Sequence, residues 1–170
     1  MSNSPYEAFD AFRASLQRAV LCVNREAHVW VVVGTNGYSP GQTHALVPNL
    51  GHPVKMRGSI GLNLATRTWY RVVRGEDDRS LWKVAVIAYS HRLETADEKE
   101  IVSYHWHPGE GSKVVHPHMH LGAGIGADLG MLDKTHIPTG EIRLEELIHF
   151  TIHELEAEPQ REDWPEILSE

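Results

Sequence analysis

Tyr104-His105-Trp106-His107-Pro108-Gly109-Glu110-Gly111-Ser112-Lys113-Val114-Val115-His116-Pro117-His118-Met119-His120-Leu121 is the stretch that sets the fold. Its histidines recur every second residue, at 105 and 107 and again at 116, 118 and 120. In an extended strand successive side chains alternate faces, so each set lies on one side. Tyr104, Trp106, Met119 and Leu121 take the other side. The pattern predicts two strands, apolar inward and imidazole outward, joined by a loop whose two glycines suit a hairpin. If His107 sits across from His116, then His105 faces His118 and Ser103 faces His120. Directly opposed residues share a face, so five imidazoles meet in one patch. A slip of one residue brings Pro117 and Met119 opposite the histidines and disperses them.

Working upstream from the hairpin, Leu81–Ser90 reads as a strand with Trp82, Val84 and Val86 on one face. Ser59–Ala65 and Thr68–Arg74 read as two more, and the valine-rich run His28–Val33 as another. The links are too short for helical crossovers, which predicts an antiparallel meander. Residues 34–58, with five glycines and three prolines, read as a long loop or a set of turns. Residues 122–141 are again glycine-rich.

Helices flank the sheet segment. Ser4-Pro5-Tyr6-Glu7 has the form of a capping box, and Phe9, Phe12, Leu16, Val20 and Val23 follow at helical spacing. Near the end, Leu144, Leu147, Ile148, Thr151, Ile152 and Leu155 make a second stripe. The expected architecture is α+β in one domain spanning 1–170: an N-terminal helix at about 4–23, a sheet at about 28–121 and a C-terminal helix at about 143–156.

The 170-residue chain is 41 % apolar and 23 % charged, with a formal net charge of −7. Those values fit a packed globular domain. A net negative charge works against nonspecific attachment to phosphate backbones, and no run of five basic residues occurs. One cysteine, Cys22, excludes an intramolecular disulfide and a cysteine zinc site; it falls on the first helix's core stripe. No basic, apolar leader opens the chain, and no apolar run approaches the roughly 20 residues of a membrane helix. The expectation is a cytoplasmic protein with no membrane association.

Twelve residues are histidine, and five lie within the hairpin. Neutral imidazoles at this density suit a divalent transition metal, zinc first, with His105, His107, His116, His118 and His120 as the candidate ligands. Imidazoles also serve as acid and base near neutral pH, which makes His118 and His105 candidate catalytic groups, with Lys113 to hold phosphate. Glu110, Asp133, Lys134 and His136 lie close enough in sequence to complete such a site. Other signals are weaker. His149 and His153 share a helix face, but Phe150 stands where a zinc protease has its glutamate. The glycines at 122, 124, 126 and 130 lack the spacing of a nucleotide loop.

Two resemblances arise at the histidines. His116-Pro117-His118-Met119-His120-Leu121 resembles the histidine-triad nucleotide hydrolase motif, with Pro117 and Gly122 in place of apolar residues; the resemblance implies a nucleophilic role for His118. Tyr104, His107, Pro108, Pro117, His118 and His120, within a span of roughly 68–155, are similar to the TumE-type toxin family of bacterial toxin–antitoxin modules. This chain departs from that family in its N-terminal helix, its 34–58 segment and its His105-Trp106 pair. The resemblance implies an antitoxin-like protein partner. The expected function is a histidine-cluster hydrolase, a phosphodiesterase or nuclease-like toxin acting on nucleic acid or a nucleotide, metal-dependent or by histidine acid–base catalysis. The alternative is a non-catalytic metal-binding or partner-binding module.

Overall fold

A computed structural model describes residues 1–34, 36–59, 61–76, 80–109, 114–126 and 135–169. The class is α+β, an antiparallel sheet with a helix before it and helices after it. Helix α1 is Pro5–Leu21, and the strands are β1 Val29–Val33, β2 His44–Pro48, β3 Val54–Lys55, β4 Asn63–Arg74, β5 Trp82–Glu94, β6 Glu100–Trp106, β7 His118–Leu121 and β8 Ile137–Pro138. Helices α2 (Leu144–His153) and α3 (Trp164–Leu168) close the chain. The sheet runs β1-β2-β4-β5-β6-β7-β8, with β3 also paired to β4. Every pairing among the described strands is antiparallel and most strands neighbour the next in sequence, as a meander requires.

The start of α1 follows its sequence. Ser4 caps it by accepting from the Glu7 backbone N–H at 3.2 Å, and Pro5 takes the first turn, where its missing N–H costs nothing. Burial alternates strictly along the middle of β4: Leu64, Thr66, Thr68, Tyr70 and Val72 are covered, while Arg67 and Arg71 are exposed. The helices lie on the covered face. Phe9 and Phe12 of α1 pack on the Tyr70 ring at 6.2 and 5.4 Å. Ile148 and Leu147 of α2 join the same core, and Ser15 donates to Glu145 at 3.0 Å between the two helices. The opposite face of β4 to β7 carries no described helix. Among the described residues no helix is long and apolar enough to cross a membrane.

Four expectations are corrected. The 34–58 segment contains β2, β3 and a short 3-10 turn, Asn49–Gly51. Its strand residues His44–Pro48 are buried throughout, so they lack the polar alternation by which a half-exposed strand is read. Ser59–Ala65 and Thr68–Arg74 are not two strands: a single β4 begins at Asn63 and runs through Thr66 and Arg67. The sheet extends past 121 to β8, and the C-terminal helix ends at His153, with Trp164 opening a further short helix.

Candidate metal centre

The β6–β7 register decides the site. Tyr104 pairs with Met119, Ser103 with His120, and His105 with His118. This is the parity at which the histidines share a face. The ladder ends at His105 and His118, but the rings of His107 and His116 stay close: His107 lies 5.5 Å and His116 6.2 Å from His118. His105 lies 5.9 Å from His118 and 5.5 Å from His120. The five candidate histidines therefore meet on the uncovered side of the sheet, while Tyr104 and Met119 join the core margin.

A sixth imidazole completes the group. In the β7–β8 ladder His118 pairs with Pro138 and Met119 with Ile137. One step further along the same register, His136 falls opposite His120 and so shares its face. The His136 ring stands 4.5 Å from that of His120 and 4.9 Å from that of His118. One nitrogen from each of His118, His120 and His136 lies within 4.8 Å of the others, a spacing at which the three can hold one metal ion. Among the described residues this is the group that meets that condition. His105, His107 and His116 stand around it rather than in it. Sequence reading places His136 only among nearby residues, because the two-residue strand that carries it leaves no periodic signal.

Burial grades across the group: His118 is 1 % exposed, His120 is half-buried and His136 is exposed. The centre is thus rooted in the sheet and open on one side. The His118 Nδ1 lies 2.9 Å from the His116 carbonyl, which can only accept. That fixes Nδ1 as the protonated nitrogen and leaves Nε2 with its lone pair, the tautomer a metal ligand needs.

Electrostatics disfavour protonation of His105, His118 and His120. Burial pushes the His105 pKa down to about 4, helped by His120, His118 and His107. Burial also lowers His118, against the opposing bond to the His116 backbone, and lowers His120, with His136 adding to the effect. Crowded imidazoles disfavour one another's protonation, and uncharged imidazole is the form that binds metal.

Lys113, expected to hold phosphate, lies outside the described residues, as do Glu110, Asp133 and Lys134. His149 and His153 are exposed on α2, stacked on each other at 5.7 Å, away from the centre. Cys22 is fully buried and its thiol is pushed up to about 11 by burial, the setting of a packing residue rather than a nucleophile. The chain matches no protein-family model, no curated protein and no solved structure.

Proposed function

We propose that this protein is a metal-dependent hydrolase of phosphodiesters whose centre is His118, His120 and His136. The observation that carries the reading is the convergence of three imidazole nitrogens, from β7 and the entry to β8, within 4.8 Å of one another. Three histidines with an open side are the ligand pattern of catalytic zinc sites, which keep a position for water or substrate. Zinc, when bound, supplies Lewis acidity toward a phosphoryl oxygen and toward water.

The chain's own residues do the rest. His118, held in one tautomer by the His116 carbonyl, anchors the centre from below. His136, exposed, marks the side from which substrate approaches. His105 stands beside two of the ligands, neutral at physiological pH, and serves as the proton acceptor for the attacking water. This narrows His105, a candidate for both roles, to the acid–base one, and His118, likewise a candidate for both, to metal ligand.

The test is turnover of an activated phosphodiester, bis(4-nitrophenyl) phosphate, and of single-stranded RNA, with zinc or manganese added and with chelator. Hydrolysis that requires metal, falls roughly 100-fold in His105→Gln with metal content unchanged, and is lost in His136→Ala supports the reading. Metal-loaded protein that turns over neither substrate above the chelated control refutes it and leaves a metal-binding module.

A further inference from the structure

The uncovered face holds a second feature beside the histidines. Strand alternation places Arg67, Trp69 and Arg71 in succession on that side of β4. The registers set Arg67 across from Ser90, Ser90 across from His105, and His105 across from His118, one row over four strands. The adjoining row is Ala65, Arg92, Ser103 and His120. Two strand spacings, about 10 Å, separate Arg67 from His105.

Trp69 stands between two hollows of the same face. One, of about 340 Å³, is bounded by Arg67, Ser90 and Arg92. The other, of about 400 Å³, is bounded by Arg71, Ala88 and His107. Both lie in the size range of small-ligand pockets. The Arg67 guanidinium lies over the Trp69 ring at 5.5 Å. Arg92 is engaged by Glu94 at 2.6 Å, whereas Arg67 and Arg71 have no carboxylate partner among the described residues; Arg71 donates only to Thr43 Oγ1, at 3.2 Å.

An aromatic ring between two unneutralised guanidiniums is a poor fit to an apolar partner and a good fit to a base with phosphates on either side. The chain as a whole carries −7, so attraction to an anion has to come from this strip and not from a generally basic surface. We propose that this face binds single-stranded nucleic acid, a base stacking on Trp69, flanking phosphates held by Arg67 and Arg71, and the strand running toward His105 and His118. The proposal names the substrate of the phosphodiesterase and rests on that reading for its purpose. A duplex does not suit the strip, because its bases are already stacked on one another.

The experiment is fluorescence anisotropy with a short labelled single-stranded RNA, its duplex form and an acidic peptide, in chelator and over a salt series. The expected result is binding of the single strand well above the other two. Trp69→Ala weakens it roughly tenfold or more, Trp69→Phe less. Arg67→Gln/Arg71→Gln flattens the slope of log affinity against log salt by about 1.4, the loss of two phosphate contacts on a single strand. If Trp69→Ala fails to fold, Trp69→Phe and the double arginine variant, whose changes are exposed, carry the test. No single-strand binding, equal binding of duplex or peptide, or unchanged affinity and slope in the variants overturns the proposal. Chelator keeps the two readings apart: single-strand binding in chelator, with no hydrolysis once zinc or manganese is restored, upholds the strip and sinks the hydrolase, and metal-dependent hydrolysis of the small diester without RNA binding does the reverse.

Discussion

His105 on β6 lies directly across the ladder from His118 on β7, with ring centroids 5.9 Å apart. That pairing fixes the parity of the hairpin and puts His120 beside Ser103 and His118 on one face. The next ladder repeats the effect by bringing His136 to His120. A three-histidine group with the spacing to hold one metal ion thus follows from two strand registers and a period-two distribution of histidines.

His136 is the exposed member of the triad, so its removal separates ligation from folding. His136→Ala is expected to weaken zinc or cobalt affinity roughly 100-fold or more, beyond the usual loss of an outer-shell partner. Its Tm in chelator should match the parent. Isothermal titration calorimetry and thermal melts check both halves.

Metal that binds the folded centre and not the unfolded chain stabilises by mass action. At a free zinc concentration about 100 times Kd the gain is about 2.7 kcal/mol. For a chain of this size that corresponds to a rise in Tm of roughly 5–10 °C. Differential scanning calorimetry with zinc and with chelator measures it, and His136→Ala should show almost none of the rise.

On the covered face, His91 of β5 is 2 % exposed, stacked on Tyr89 at 4.8 Å and hydrogen-bonded through Nδ1 to Thr66 Oγ1. Burial lowers its pKa from 6.5 to about 4. Between those values the unfolded chain binds the proton and the folded one does not, so stability rises with pH. The contribution is complete above pH 6.5 and is lost as pH falls toward 4, on the order of 3 kcal/mol in all. In urea titrations of the metal-free protein, His91→Gln should reduce the pH slope across that window by up to about 1.4 kcal/mol per pH unit. An unchanged slope contradicts the assignment.

Ile148 of α2 is fully buried in the core. Ile148→Ala is expected to cost about 2–5 kcal/mol by removing packing and leaving a cavity. Zinc affinity of the folded fraction should not change, because α2 contributes no ligand. Chemical denaturation and calorimetry distinguish the two effects.

The α+β class, α1 and the hairpin were legible because Phe9, Phe12, Leu16 and Val20 repeat at helical spacing and the histidines at strand spacing. β2 was not, because its five residues are all buried and carry no alternation. His136 was named but not placed, since only the β7–β8 register brings it to His120. The arginine strip was invisible for the same reason. Arg67 falls in the gap between the two strands expected at 59–65 and 68–74, so its shared face with Arg71 shows only once β4 is seen to be continuous, and Arg92 joins them only through the pairing of β4 with β5.

The most direct test of the account is the metal content of untagged protein, measured by inductively coupled plasma mass spectrometry after equilibration with zinc and desalting. Convergence of the three histidines on one ion predicts close to one equivalent in the parent and none above background in His118→Asn/His136→Ala. A parent that retains no zinc, or a double variant that retains as much as the parent, would contradict the convergence of His118, His120 and His136 on one ion.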